Sequence, residues 1–297
     1  MAAAIGVAMR RAHWGEPARL ARRARRLFGA PNPLVWLRTR GVRIEPVHDD
    51  AVRGEWLSAG PADQGAILYL HGGGYVAGSP VTHRPITAAL ARLAARRVFA
   101  LEYRLAPEHR FPAALDDAVA GYRWLLEQGI APSSLAVAGD SAGGGLGLAL
   151  LVRARDEGLP RPACAVCFSP WTDLAATGES LLTNNGRCAM FRPENVADFA
   201  RVYLGDASPR HPHASPLFAD LRGLPPLLVQ VGSSEILLDD ARRLHEKVRM
   251  AGGLSTLQVF DAVFHVWQML DGFIPESRQA LQDAAAFMNR REETSRG

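Results

Sequence analysis

From residue 42 to residue 291, short apolar runs alternate with longer stretches of helical periodicity, and this rhythm limits the fold more than any other feature of the chain. VRIEPV (42–47) and GEWLSA (54–59) read as an opening antiparallel pair. They are followed by AILYL (66–70), RVFALEY (97–103), SLAVAG (134–139), ACAVCFS (163–169), PLLVQVG (226–232) and TLQVF (256–260). Helical patterns near 84–96, 113–128, 142–157, 239–251 and 276–291 separate them. Most of these runs are continuously apolar rather than alternating, as expected of strands buried on both faces of a parallel sheet. The expected fold is α/β, an about eight-stranded, mostly parallel sheet with helices on both faces. With 297 residues, 48% of them hydrophobic, the chain can bury one large core.

Two segments fall outside the rhythm. Residues 1–40 precede the first strand, and residues 172–222 hold polar, Pro-rich and short helical text where one crossover would suffice. Insertions of that length in a compact domain usually roof a ligand site, so 1–40 is expected to form the N-terminal part of a helical cap and 172–222 its second part. The remainder of 41–297 is the main domain. Residues 1–28 read as an amphipathic helix whose Ala, Leu and Phe face packs on the body, and their apolar stretch precedes the arginines, the reverse of a secretory signal.

Several function classes lack support. No apolar run approaches the ~18–20 residues that span a bilayer. The net charge of +4 comes from arginines spread along the chain apart from the run at 19–26, Lys247 being the one lysine, and without interleaved aromatics this gives little footprint for nucleic acid. Cys164, Cys167 and Cys188 make an odd count. The C-x-x-C at 164–167 lies in an expected strand, where i and i+3 point to opposite faces, so neither a disulfide nor a metal site is expected, and a reduced cytoplasmic setting fits.

The chemistry is concentrated at SLAVAGDSAGGG. Gly139-Asp140-Ser141-Ala142-Gly143 is a G-x-S-x-G placed between a strand and a helix, the context in which a nucleophilic serine sits on a strained turn with its hydroxyl exposed. That assignment explains HGGGYVAGS (71–79). An acyl-transfer serine needs two backbone N–H donors aimed at the developing oxyanion. Ala142 is expected to supply one, and Gly72 and Gly73 are suited to the other, because a residue without a Cβ lets the backbone come close. A phosphate cradle fits less well: no GK[ST] follows, and the glycines lack G-x-G-x-x-G spacing.

A serine needs a base to take its proton and an acid to orient the base. After a nucleophile on such a turn, the acid and then the histidine follow in chain order. His265, in the loop after the last strand, is the expected base, and Glu235, just past the strand before, the expected acid. Asp239 and Asp240 open the next helix and read as N-terminal caps. Asp140 reads as a backbone partner beside the nucleophile, and Asp116 and Asp117 as solvated or packing residues. Tyr75, Trp171, Met190 and Trp267 are candidates to line the substrate pocket.

HGGGYVAGS, YRLAPEHRFPAALDD (103–117), GDSAGG, SPWTDL (169–174) and the Phe-His near the end resemble, in order from about residue 66 to 270, the bacterial hormone-sensitive-lipase family (family IV) of α/β-hydrolase esterases. The resemblance implies an α/β-hydrolase fold with a helical cap and a serine carboxylesterase acting on short-to-medium acyl esters, through a Ser-His-Glu triad and an acyl-enzyme. It implies no cofactor and no metal, a small-molecule ester as partner, no nucleic acid and no stable membrane insertion; a homodimer is left open. Many relatives carry D-P-L-x-D-E with the first aspartate as triad acid, whereas here the text is Glu235-Ile236-Leu237-Leu238-Asp239-Asp240. The same residues are open to an acyltransferase or deacetylase, and the same fold to a non-catalytic small-molecule receptor.

Overall fold

The computed structural model of the protein describes residues 16–29, 37–60 and 65–295. Eight strands form one sheet: β1 (Arg43–His48), β2 (Arg53–Ser58), β3 (Ala66–Leu70), β4 (Arg97–Leu101), β5 (Leu135–Asp140), β6 (Cys164–Phe168), β7 (Leu227–Gly232) and β8 (Ser255–Phe260). Their order is β1-β2-β4-β3-β5-β6-β7-β8. β1 and β2 pair antiparallel, as do β2 and β4, and every later pairing is parallel. The expected strand 97–103 ends at Leu101. Beyond it the Tyr103 hydroxyl turns back to donate to the His71 carbonyl at 2.6 Å.

Alternate residues of each central strand face opposite layers. Leu68 and Leu70, Leu135 and Val137, Ala165 and Cys167, and Leu227 and Val229 pack with α3 (Ala113–Glu127), α4 (Ala142–Asp156) and α7 (Leu238–Met250). Ile67 and Tyr69, Ala136 and Ala138, Cys164 and Val166 pack instead with α2 (Arg84–Leu93) and α8 (Pro275–Ser295). Burial on both sides explains why these strands read as unbroken apolar runs. Cys164 and Cys167 indeed lie in opposite layers, and among the described residues no disulfide joins the three cysteines.

Of the segment 1–40, residues 1–15 and 30–36 lie outside the described residues, so the amphipathic helix expected over 1–28 is described only from residue 16. There α1 (Pro17–Phe28) starts with proline at its first turn, where a missing N–H costs nothing. It buries Leu20, Ala21 and Ala24. Each large apolar side chain so buried contributes roughly 1.5–3 kcal/mol. Arg25 fixes the register of this helix: its Nε donates to the Val76 carbonyl at 2.9 Å, Nη2 to the Ala106 carbonyl at 3.1 Å, and Nη1 and Nη2 to Glu108 at 2.8 and 2.6 Å.

Residues 172–222 contain α5 (Ser180–Thr183) and α6 (Pro193–Leu204). They have no core of their own, for Leu174, Leu181, Val196, Phe199, Tyr203 and Leu217 join the same apolar cluster as α3 and α4. Two aspartates after β7, Asp239 half-buried and Asp240 buried, fasten this segment. Asp239 accepts the Ser180 N–H at 2.7 Å, and Asp240 accepts the N–H groups of Thr172 and Asp173 at 2.7 and 2.9 Å. This corrects the sequence reading of both as helix caps: α7 has no side-chain cap, and the two carboxylates cross-link distant segments instead. Among the described residues, no helix is long and apolar enough to cross a membrane.

Candidate active site

At the carboxyl end of β5 the chain turns sharply into α4 through Ser141, which adopts φ 53° and ψ −122°. A left-handed φ on a non-glycine residue costs on the order of 1–3 kcal/mol and persists only where neighbours enforce it. Here the Ser141 N–H donates to the Phe168 carbonyl at 2.8 Å, and its carbonyl accepts the Trp171 N–H at 2.9 Å. The flanking glycines let the turn close. A Cβ at Gly143 would stand 2.0 Å from the Leu70 carbonyl oxygen, and one at Gly139 would stand 2.5 Å from the Gly143 oxygen. The G-x-S-x-G spacing is thus a packing requirement between the ends of β3 and β5 and the start of α4.

His265 reaches the same point from the loop after β8, where Ala262 and Val266 both take positive φ. Its Nε2 lies 2.8 Å from Ser141 Oγ, and its Nδ1 lies 2.5 Å from Glu235 Oε2. Glu235 is 2% exposed. Its second oxygen, Oε1, accepts the Gly232 N–H at 2.6 Å and the Ser169 hydroxyl at 2.7 Å. With a carboxylate at Nδ1, that nitrogen carries the proton and Nε2 presents its lone pair to the serine. Asn184, in the 172–222 segment, donates to the Glu235 carbonyl at 2.8 Å and to the Ser233 carbonyl at 3.1 Å, which steadies the turn that carries the carboxylate. Neither Asp239 nor Asp240 is bonded to the imidazole. Asp240 is pushed up to about 7 by burial and by the charge of Asp173, against the pull of its two backbone donors and Arg243.

The glycine loop differs from expectation at one position. The Gly72 N–H donates to Asp140 Oδ1 at 3.0 Å, so it is already used and does not face the space beside Ser141. Gly73 and Gly74, both at positive φ, have no acceptor for their N–H groups among the described residues, and Ala142 opens α4, where the first N–H groups have no intrahelical partner. The open amides near the nucleophile turn are those of Gly73, Gly74 and Ala142. His71 lies beneath the loop, stacked on Tyr103 with ring centroids 4.2 Å apart, its Nδ1 2.8 Å from the Gly72 carbonyl. Burial pushes His71 down to about 3, so the imidazole is neutral.

The four expected pocket residues separate. Tyr75 is buried and stacks on Tyr203 at 3.8 Å, 6.0 Å from the Trp171 ring, while the Trp171 indole donates to the Asp173 carbonyl at 3.3 Å. Both join the glycine loop to the 172–222 segment. Trp267 is fully buried elsewhere: it packs on Phe260 at 4.9 Å and donates to the Glu276 carbonyl at 3.2 Å, which removes it from the pocket despite standing two residues after His265. Met190 is half-buried, and its neighbour Phe191 is the residue that meets the site, edge-on to the His265 ring at 5.1 Å. Phe199 covers the glycine loop so closely that a Cβ at Gly74 would stand 2.4 Å from its ring. Sequence reading missed Phe191, Phe199 and Ser169. Ser169 lies in the SPWTDL motif and carried a signal, whereas the phenylalanines lie in irregular text with none.

Comparison with known proteins gives concordant results. A family model described as alpha/beta hydrolase fold matches residues 67–269. An acetyl-hydrolase of Streptomyces hygroscopicus is 48% identical over 234 residues, 79% of this chain and 78% of that protein. An esterase of Acinetobacter venetianus is 40% identical over 247 residues, covering 83% and 82%. Among solved structures, an esterase from the bacterial hormone-sensitive lipase (HSL) family superposes with a TM-score of 0.89 at 43% identity, covering 98% of this chain and 97% of that one. EstE5, soaked with p-nitrophenyl butyrate, gives a TM-score of 0.83 at 42% identity, covering 93% and 98%.

Proposed function

The chain belongs to the α/β-hydrolase fold family and is a serine carboxylesterase of hormone-sensitive-lipase type, and from that premise we propose that it cleaves short-to-medium acyl esters with Ser141, His265 and Glu235. The observation that carries the assignment is the unbroken chain of contacts, 2.8 Å from Ser141 Oγ to His265 Nε2 and 2.5 Å from His265 Nδ1 to Glu235 Oε2.

In the proposed mechanism His265 Nε2 takes the Ser141 proton as Oγ attacks the ester carbonyl carbon. The carbonyl π electrons move onto its oxygen, and the N–H groups of Gly73, Gly74 and Ala142 receive that oxyanion. As the oxyanion collapses, the bond to the alkoxy group breaks and His265 returns the proton to it, releasing the alcohol and leaving an acyl-serine. Water then adds with its proton taken by His265, and collapse with proton return to Ser141 releases the acid. Glu235 keeps Nδ1 protonated and stabilises the transient imidazolium. These steps need no cofactor.

Residues 1–40 and 172–222 are proposed as a cap over this site. Support comes from Phe191 and Phe199, which bring aromatic walls from the second segment to the imidazole and the glycine loop, and from Arg25, which ties α1 to the same loop. Such walls favour chains of up to about six carbons over emulsified long-chain triglycerides. The relative named acetyl-hydrolase supports a second reading with the same residues, deacetylation of an acetylated alcohol. Hydrolysis of p-nitrophenyl esters of rising acyl length, with Ser141→Ala as control, tests the proposal: activity peaking at acetate to hexanoate and lost in the variant is expected, and turnover retained in the variant refutes the nucleophile.

A further inference from the structure

Asp140, the residue before the nucleophile, is 2% exposed and binds three segments with one carboxylate. Oδ1 accepts the Tyr69 hydroxyl at 2.6 Å, from the end of β3, and the Gly72 N–H at 3.0 Å, from the start of the glycine loop. Oδ2 lies 3.3 Å from His83 Nε2, in the turn that follows the loop. His83 is itself 8% exposed. Its Nδ1 lies 2.9 Å from Thr82 Oγ1 and 3.2 Å from the Ser79 carbonyl. The Ser79 carbonyl can only accept from the ring, and when the Thr82 hydroxyl donates to that carbonyl, at 2.9 Å, its oxygen accepts from the ring as well. In that arrangement Nδ1 carries one proton and Nε2, facing the Asp140 carboxylate, carries another, an imidazolium that the carboxylate charge favours. Thus the start of the glycine loop and the turn beyond it are both pinned to the residue next to Ser141, and the two N–H groups of Gly73 and Gly74 lie between the pins.

We propose that Asp140 and His83 form a charged brace that sets the glycine loop against the nucleophile turn, making both of them positioning residues for the oxyanion-binding amides; this rests on the esterase reading above. The surroundings fit one carboxylate paired with one imidazolium. Burial, with the Asp140 charge beside it, keeps the Tyr69 hydroxyl protonated, and burial does the same for Tyr103. The neutral His71 ring stands 5.4 Å from His83. Arg84, the next residue along, is turned away and spent on Glu55 at 2.9 and 2.6 Å. Burial alone would lower His83 and raise Asp140, yet each is moved the other way by its partner.

The test compares wild type, His83→Gln, His83→Leu and Ser141→Ala on p-nitrophenyl acetate, per active site titrated with an organophosphonate, together with affinity for a trifluoromethyl ketone, whose adduct with the serine places an oxyanion at the same amides. Because misplacing reacting groups by about 1 Å costs on the order of 100-fold, His83→Leu is expected to lower kcat about 100-fold with KM within about threefold, and ketone affinity to fall in parallel. His83→Gln, whose amide still donates to Asp140, is expected to recover most of the loss. The ratio of wild-type to His83→Gln kcat is expected to decline as pH rises and His83 loses its proton, because a neutral ring that keeps Nδ1–H turns a lone pair on the carboxylate. That ratio decides the matter even if His83→Leu does not fold. Wild-type kcat and ketone affinity per active site in the histidine variants, or a ratio that does not change with pH, overturns the brace. Turnover surviving in Ser141→Ala overturns the esterase site itself, a separate failure.

Discussion

Two walls of the candidate site, the glycine loop on the sheet side and the 172–222 segment opposite, each meet one fully buried aspartate, and the two carboxyls are shifted in opposite directions. Asp140 on the sheet side faces His83, and although burial pushes it upward, that charge and the bonds from His83 and Tyr69 hold it below the ordinary carboxylate range. Asp240 on the other side meets two backbone N–H groups and the like charge of Asp173, and burial pushes it up to about 7. Two carboxyls of equal exposure are thus separated by their charged neighbours, His83 beside Asp140 and the like charge of Asp173 beside Asp240, since a hydrogen bond from a neutral amide offsets less of the desolvation than one from a cation does. The wall that carries the candidate oxyanion-binding amides meets a carboxylate paired with a histidine. The wall that carries the aromatic side chains is held by a carboxyl that exchanges a proton near neutrality.

The largest expected effect lies on the sheet side. Ser141→Ala is expected to lower kcat roughly 10⁴-fold or more with Tm little changed, measured as initial rates beside thermal melts. Second comes Glu235→Gln, expected to cost roughly 10²–10⁴ in kcat, because an amide at Nδ1 favours the wrong imidazole tautomer. Asp239→Asn, a few residues on, is expected to leave kcat unchanged and to cost at most about 1 kcal/mol through its bond to Ser180, a typical net hydrogen-bond contribution. Loss of turnover in Asp239→Asn with activity kept in Glu235→Gln would assign the acid to the opposite wall.

The third prediction bears directly on the two aspartates. Because Asp240 is raised in the folded state, its contribution to stability is complete below the ordinary value of about 3.9 and is lost as pH rises through about 7. The Tm advantage of wild type over Asp240→Asn should therefore shrink between pH 4 and pH 8, by several degrees at roughly 2–4 °C per kcal/mol. Asp140 is lowered, so its contribution is present above about 3.9 and is lost as pH falls further, and the advantage over Asp140→Asn should shrink on acidification below about pH 4. Melts of the three proteins across pH decide this, and slopes of the same sign would dissolve the contrast. The smallest effect on catalysis among the site variants belongs to Phe191→Ala. Removing the edge that meets His265 should raise KM for acetate and butyrate esters by about 10-fold, the order expected for a few lost apolar contacts, and shift the acyl-length profile upward with kcat on the favoured ester little altered.

Much of this architecture was legible before any coordinate. The eight strands fall within a few residues of the apolar runs, because a strand buried on both faces must be apolar throughout and such runs are short and bounded. Ser141 was legible for a similar local reason: only small residues at positions 139 and 143 permit the turn, so the spacing is visible in the string itself. The misreadings share one cause. Gly72 was taken for an open amide because its acceptor, Asp140, lies 68 residues away. Asp239 and Asp240 looked like helix caps because their partners, Ser180 and Thr172, lie 59 and 68 residues before them. Trp267 stood beside the histidine in sequence, yet it turned to the other side of its loop, to Phe260 and Glu276.

What the sequence determined by itself is therefore everything set by local sterics and by burial pattern: the strand and helix order, the turn at Ser141, and the candidates Glu235 and His265 at successive strand ends. Tertiary structure alone decided which hydrogen-bonding groups remain unused, namely the amides of Gly73, Gly74 and Ala142, and which buried carboxyl holds a charge. The physical reason is that a donor's availability and a carboxyl's charge depend on what approaches within about 3 Å, and in this fold those neighbours come from strands and loops far apart along the chain.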